Sequence, residues 1–255
     1  MAKYDIIGNI GIVKFSKDEK LKDKKRFAEK FLRERKSVRT VLEKSGKFSG
    51  RLRTQKTKFV LGEKTKEALH RENNCEFRLN VDSCYFSPRL GSERMEIAKK
   101  VKRGERILVM FGGIGVYGIV IGKNSRAGEI VSVELGRECN RYAKENIKRN
   151  KLANVQIIGG DVRKVVPKLK GKFDRIVMAR PNLEDSFLDV AFKKIAKGGM
   201  IHYYGFYLGS EKEKLKELIL LEGKRAKKKV KIVKIKKAGE VASRKFRFRV
   251  DMLYS

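Results

Sequence analysis

The chain has 255 residues and sets 64 lysines and arginines against 30 aspartates and glutamates, a net charge of +34. With 41% hydrophobic residues, 9% aromatics and three prolines it is too rich in core formers to be disordered, and it is long enough for one ordinary core plus a small appended domain. Adaptation to heat raises glutamate alongside lysine, so this one-sided excess calls instead for a polyanionic partner, nucleic acid ahead of an anionic membrane surface.

Ile6-Ile7 and Ile10–Val13 read as strands around a Gly8-Asn9 turn, and Lys17–Arg35 as a helix with Phe27, Phe31 and Leu32 at helical spacing. Arg39–Leu42, Gly50–Thr57 and Phe77–Val81 read as further strands. The order β-β-α-β-β-β predicts a small basic α+β domain over residues 1–80, with 23 basic and 11 acidic side chains.

From Ser92 the pattern changes to strands alternating with helices. Glu93–Val101 reads as a helix, Arg106–Phe111 as a buried strand, and Gly112–Gly115 as a turn opening the next helix. Strands Ile130–Glu134, Val155–Ile158, Phe173–Ala179 and Met200–Phe206 follow, with helices Glu138–Asn150 and Leu183–Ile195 between them. A helix over Lys212–Gly223 precedes strands Val230–Lys236 and Phe246–Leu253, joined by Lys237–Lys245. Residues 81–255 are thus expected to form a mostly parallel α/β sheet with an antiparallel end.

Several classes are disfavoured by what the residues lack. The longest apolar run, Ile107–Gly122, carries five glycines and falls short of the roughly 20 residues of a membrane span. Cys75, Cys84 and Cys139 lack the spacing of a zinc or redox site and read as reduced thiols of a cytoplasmic protein. Only two histidines, His70 and His202, are present, so no metal is expected, and His202 reads as a strand residue satisfied by its neighbours.

Gly113 to Gly118 spells G-x-G-x-x-G after an apolar strand, where glycines admit a ligand and a helix N-terminus presents amides. Nineteen residues past Gly115, Glu134 ends the next strand, placed to accept hydrogen bonds from a ribose diol. That pair suits a nicotinamide enzyme or an S-adenosyl-L-methionine enzyme equally. Asp161, after Gly159-Gly160 at the following strand end, adds a carboxylate for an adenine amine and tips the reading to methyl transfer.

The stretches Val81-Asp82-Ser83-Cys84-Tyr85-Phe86-Ser87-Pro88-Arg89-Leu90-Gly91-Ser92-Glu93-Arg94, Met110-Phe111-Gly112-Gly113-Ile114-Gly115, Gly160-Asp161-Val162-Arg163 and Ile201-His202-Tyr203-Tyr204 resemble the archaeal and eukaryotic tRNA (guanine-37 N1)-methyltransferase family and its wyosine-pathway relatives. The resemblance implies a class I, Rossmann-like methyltransferase domain behind a small α+β RNA-binding domain. It also implies S-adenosyl-L-methionine as cofactor and the anticodon stem-loop of tRNA as partner, in the cytoplasm, with a monomer expected. Carbon-7 methylation of a wyosine precursor or transfer of the aminocarboxypropyl group are the alternatives within the family, and a non-catalytic RNA-binding protein is the alternative outside it. Many members carry a further domain before the Asp5-Ile6-Ile7-Gly8 stretch; the expectation is that its absence leaves more of the grip to phosphate contacts.

By resemblance, Arg53 meets guanine O6 and Glu93 takes the N1 proton. The cofactor falls to Ser87, Arg94, Phe111, Gly113, Gly115, Glu134, Leu135, Asp161, Val162 and Pro181, and the substrate to Tyr85, Phe86, Arg89 and Arg180. Simpler readings stand beside these: Arg53 as a phosphate contact, Glu93 paired with Arg94 or Lys100, Tyr85 and Phe86 as core. Two positions depart from the family pattern, Val109 where an acid is usual and Ala179 where an asparagine is usual.

Overall fold

In the computed structural model, which describes residues 3–46, 50–180 and 183–255, the chain falls into two units, Met1–Pro88 and Arg89–Ser255. In the first unit β1 (Lys3–Ile7) and β2 (Ile10–Lys14) pair antiparallel across the Gly8-Asn9 turn. Gly8 has φ +56, and a Cβ there would lie 1.9 Å from the Leu69 carbonyl oxygen, so only glycine fits the turn. Helix α1 (Leu21–Glu34) leads from β2 to a parallel β3 (Thr40–Lys44), and β4 (Thr57–Gly62) completes the sheet in the order β1-β2-β3-β4. Phe31 of α1 seats against Gly11, where a Cβ would be 2.7 Å from its ring, and the core gathers Val13, Phe15, Ala28, Val41 and Val60 around it.

Two sequence readings shift here. Gly50–Thr57 is not a strand: Gly50 and Arg53 have φ +66 and +53, and the Arg53 amide donates to the Gly50 carbonyl at 3.2 Å, so the chain turns and β4 begins only at Thr57. A separate hairpin, β5 (Glu67–Glu72) and β6 (Cys75–Asn80), closes through Asn73 and Asn74, both left-handed at φ +50 and +60. Paired positive φ is the demand of a type I′ turn, which asparagine tolerates.

The second unit opens with α2 (Gly91–Lys99) and β7 (Arg106–Met110), then α3 (Val116–Asn124), β8 (Glu129–Glu134), α4 (Arg137–Arg149), β9 (Val155–Gly159) and the single turn α5 (Val162–Val165). There follow β10 (Phe173–Met178), α6 (Leu188–Lys194), β11 (Ile195–Leu208), α7 (Lys212–Arg225), β12 (Val230–Ala242) and β13 (Lys245–Tyr254). The sheet runs β12-β13-β11-β10-β7-β8-β9, with β13 antiparallel to both its neighbours and the five strands from β11 to β9 mutually parallel. The expected α/β architecture with an antiparallel end is therefore present. Ile107, Leu108, Val109 and Met110 are all fully buried, as a central strand covered on both faces requires.

The segment 237–245 continues both strands of the last hairpin and turns sharply at Ser243-Arg244, with Arg244 at φ +58. The helix expected from Leu183 starts only at Leu188, because Phe187 before it is left-handed at φ +58. Among the described residues no helix is long and apolar enough to cross a membrane.

Candidate active site

The chain goes outward from β7 through β8 to β9 and returns to β10 on the other side of β7. The carboxyl ends of β7 and β10 therefore flank a topological switch point, where open α/β sheets bind ligands. Phe111 leaves β7 at φ +64, a left-handed conformation uncommon for an aromatic residue, and its ring meets Phe187 edge-on at 5.1 Å. Two strained phenylalanines thus contact each other at the mouth of the switch point, a pattern typical of functional sites.

The glycines of the loop divide into two kinds. A Cβ on Gly118 would lie 2.7 Å from Ser132 Oγ, so this glycine lets α3 pack against β8. Gly113, at φ +55, faces open space, with nothing within 4 Å of the position of a Cβ. Gly115 serves as the left-handed N-cap of α3 at φ +86. The ligand-facing glycine of the motif is Gly113.

Glu134 closes over that opening. One carboxylate oxygen accepts from the Gly113 amide at 2.8 Å and the other from the Gly136 amide at 2.7 Å. Burial pushes the Glu134 carboxyl up, and the backbone amides of Gly136, Gly113 and Leu135 oppose that shift. A carboxylate offers about four acceptor positions, so capacity remains for a vicinal diol beside Gly113. Leu135, 39% exposed, adds an apolar surface next to it. Asp161 caps α5, accepting from the Arg163 amide at 2.9 Å, and Val162 behind it is buried. Glu134, Asp161 and Gly113 thus converge on one edge of the sheet, a donor and acceptor set suited to an adenosine.

Val109 near the end of β7 and Ala179 just after β10 leave their positions without polar groups; Val109 is wholly core. Arg180, expected to meet substrate, is 5% exposed and turned into its own loop. Its Nη2 donates to the carbonyls of Leu183 and Asp185 and its Nη1 to that of Tyr204. The loop is further tied by Arg163, which grips Asp185 at 2.6 Å and Asp189 at 3.0 Å. Arg180 is therefore a loop staple in this structure. Pro181 lies outside the described residues.

Glu93, 4% exposed, sits on α2 in a charged cluster that the sequence did not reveal. Its Oε1 accepts from the Tyr204 hydroxyl at 2.9 Å and from Arg249, and its Oε2 accepts from Lys236 at 3.2 Å. Lys236 rather than Lys100 is its ammonium partner. Burial pushes the hydroxyls of Tyr204 and Tyr117 up, so both stay protonated, and Tyr117 donates to Tyr204 at 3.1 Å. The one signal available in sequence was Arg249 and Asp251 alternating with Phe248, Val250 and Met252 along an apolar strand, charges on a face that had to be covered.

Glu96, on the next turn of α2, is held at about 2 by its hydrogen bond to Arg249, against its burial and with help from Lys236. A folded value below the ordinary 4.5 means that this stabilisation is complete above about pH 4.5 and is lost as pH falls towards 2. Glu96→Gln is expected to flatten the acid limb of stability between those values, measured by circular dichroism during acid titration. An unchanged limb would show that the ion pair does not hold in solution.

The remaining expected site residues lie in the first unit or open the second. Arg53 lies over the Tyr85 ring at 5.3 Å, so the two form one pair. Phe86 is 7% exposed, packed on His70 at 4.8 Å and near Phe77 at 6.4 Å. It is a core residue of its unit, which takes it out of the set that could stack on a base. Ser87 is half-buried, Arg89 is exposed, and Arg94 is 3% exposed on α2. All three cysteines are buried, and among the described residues no group of three or more His, Cys, Asp or Glu side chains is arranged to hold a metal ion.

Comparison with known proteins agrees with this geometry. The family model described as the TRM5/TYW2 methyltransferase domain matches residues 68–236, and that of the TYW2 N-terminal domain matches residues 1–65. The chain is 38% identical over 204 residues to the tRNA (guanine(37)-N(1))-methyltransferase Trm5b of Pyrococcus abyssi, covering 80% of this chain and 59% of that protein. It thus spans less than two thirds of that relative's length. It is 31% identical to the tRNA (guanine(37)-N(1))/4-demethylwyosine(37)-methyltransferase Taw22 of Nanoarchaeum equitans, over 98% of each chain. The crystal structure of Pyrococcus abyssi Trm5b superposes on 99% of this chain and 75% of its own, with a TM-score of 0.88 at 33% identity. The sheet order, the Gly113–Glu134 pair and these matches together place the chain in the TRM5/TYW2 methyltransferase family.

Proposed function

We propose that the protein transfers a methyl group from S-adenosyl-L-methionine to N1 of guanosine 37 in tRNA, acting on the anticodon stem-loop as a cytoplasmic monomer. The observation that carries the cofactor is the Glu134 carboxylate bridging the Gly113 and Gly136 amides beside the one loop glycine that faces open space. Glu134 would receive the ribose diol, Leu135 and Val162 the adenine ring and Asp161 its amine. Ser87, Arg94 and Phe111 would hold the methionine end. Bound there, the cofactor supplies an electrophilic methyl carbon.

The protein's own part is to make guanine N1 nucleophilic. That nitrogen carries a proton and attacks poorly until the proton leaves and the charge gathering on O6 is met. Glu93 accepts the proton, and Arg53, held over Tyr85, donates to O6. Arg89 and the surplus of lysine and arginine bind phosphates. Residues 1–80 contribute 23 basic and 11 acidic side chains to that grip, and residues 211–249 contribute 16 and 5.

Similarity to Taw22 along the whole of both chains supports a second reading, methylation of 4-demethylwyosine at the same position. One experiment covers both: labelled cofactor with unmodified tRNA, and with tRNA carrying the wyosine precursor, followed by nucleoside analysis. Label in N1-methylguanosine is the expected result. Label confined to the precursor moves the activity to the wyosine branch, transfer of the aminocarboxypropyl group instead of methyl moves it to that transferase, and no label on either tRNA overturns the enzymatic reading.

A further inference from the structure

Arg249 is completely buried, and each of its nitrogens is set against a carboxylate. Nη1 donates to Glu93 Oε1, Nη2 donates to Glu96 Oε1 at 2.5 Å, and Nε lies 2.8 Å from Asp251 Oδ1. The ladder register puts it directly opposite both Tyr204 on β11 and Lys236 on β12, so the three groups that touch Glu93 from the sheet come from three adjacent strands on one face. Asp251 is fixed in turn. His202 Nδ1 lies 2.7 Å from its Oδ1, while His202 Nε2 lies 2.7 Å from Arg175 Nη1. A guanidinium can only donate, so Nε2 accepts, Nδ1 carries the proton, and the imidazole is neutral. Burial pushes the His202 value down, in keeping with that state. Arg175 is anchored on Glu105 at 2.7 Å, which completes a chain from Glu105 through Arg175, His202, Asp251 and Arg249 to Glu93.

The cluster balances its charge. Glu93, Glu96 and Asp251 face Arg249, Lys236 and Lys100, the last 3.9 Å from Asp251. Arg94 on α2 and Tyr117 on α3 complete its surroundings. Buried ion pairs of this kind add little net stability compared with apolar packing of similar volume. What they provide here is orientation. Arg249 and Tyr204 occupy both lone pairs of Glu93 Oε1, and among the described residues Oε2 accepts from Lys236, whose side chain is 37% exposed.

We propose that Arg249 is a positioning residue that directs Glu93 to accept the guanine proton through Oε2, with Asp251 and His202 holding Arg249 in register. The proposal rests on the reading of Glu93 as proton acceptor. It is tested by single-turnover methyl transfer to tRNA with Arg249→Met, Arg249→Lys, Tyr204→Phe and, as reference, Glu93→Gln, alongside calorimetric dissociation constants for S-adenosyl-L-methionine and tRNA. Misaimed catalytic groups lose on the order of 100-fold in rate, so Arg249→Met is expected to fall by about that much with both dissociation constants within about twofold of wild type. Arg249→Lys, which keeps the charge and a single donor nitrogen, recovers most of the loss. Should Arg249→Met fail to fold, Tyr204→Phe, which removes one hydroxyl and keeps the ring, carries the test with a smaller rate loss and unchanged binding.

Three results overturn the proposal while leaving Glu93 as acceptor: wild-type rates in Tyr204→Phe and in the folded Arg249 variants while Glu93→Gln is slow, no recovery by lysine, or cofactor binding that falls in step with rate. A wild-type rate in Glu93→Gln removes the acceptor reading and the proposal with it, as does the absence of transfer by the unaltered protein.

Discussion

Glu134→Ala is expected to weaken S-adenosyl-L-methionine binding by about 100-fold or more while leaving the protein folded. The variant loses the acceptor for the ribose diol, and hydrogen bonds to a charged group contribute about 1.5–3 kcal/mol each. It also strips the Gly113 and Gly136 amides of the carboxylate that holds the loop around Gly113, the glycine of that loop that faces open space. Since about 1.4 kcal/mol is tenfold in affinity, two such bonds account for the expected change. Calorimetry measures it, and thermal melting checks that the unit is intact. A dissociation constant within about threefold of wild type would remove Glu134 from the cofactor site and return the strand end to a structural role.

Glu93→Gln is expected to slow methyl transfer by about 10²- to 10⁴-fold, the usual contribution of a positioned general base, with little change in the affinity for cofactor or tRNA. The substitution keeps the shape but turns an acceptor into a group that cannot take a proton at neutral pH. It also leaves buried Arg249 with Glu96 and Asp251 alone, so some loss of melting temperature accompanies it. The two effects separate cleanly. A residue that only neutralises Arg249 would show the lower melting temperature and a normal rate in the fraction that remains folded.

The strands and helices of the second unit were legible because each central strand is a short apolar run bounded by glycine, and because the loop glycines and strand-end acids recur at fixed distances. Glu134 and Asp161 could be placed from spacing alone. The Gly50–Thr57 reading failed because the alternation of Leu52 with charged residues imitates a strand, whereas Gly50 and the left-handed Arg53 make a turn. The hairpin around Asn73-Asn74 was readable in principle, since adjacent asparagines are a turn signal, but its flanking strands mix histidine and glutamate into the apolar pattern. Arg180 was misplaced for a different reason. Its partners are backbone carbonyls of its own loop and of Tyr204, and backbone acceptors leave no trace in residue identity. Distance hid the surroundings of Glu93, whose side-chain partners come from strands far along the chain.

That separation bears on how the protein is made. Glu93 and Arg249 lie 156 residues apart in sequence, and β13 is the strand that brings them together. At synthesis rates of about 5–20 residues per second, roughly 8–30 s pass between the emergence of α2 and that of Arg249. During that interval the glycine loop, Glu134 and Asp161 can already pair as a nascent parallel sheet, while the carboxylate of α2 has no guanidinium to meet. On the proposed assignment, the residues for the cofactor are neighbours in sequence, whereas the proposed proton acceptor Glu93 meets Arg249 through one of the longest-range hydrogen bonds in the fold, so synthesis delivers the parts for cofactor binding before the parts for proton removal are complete.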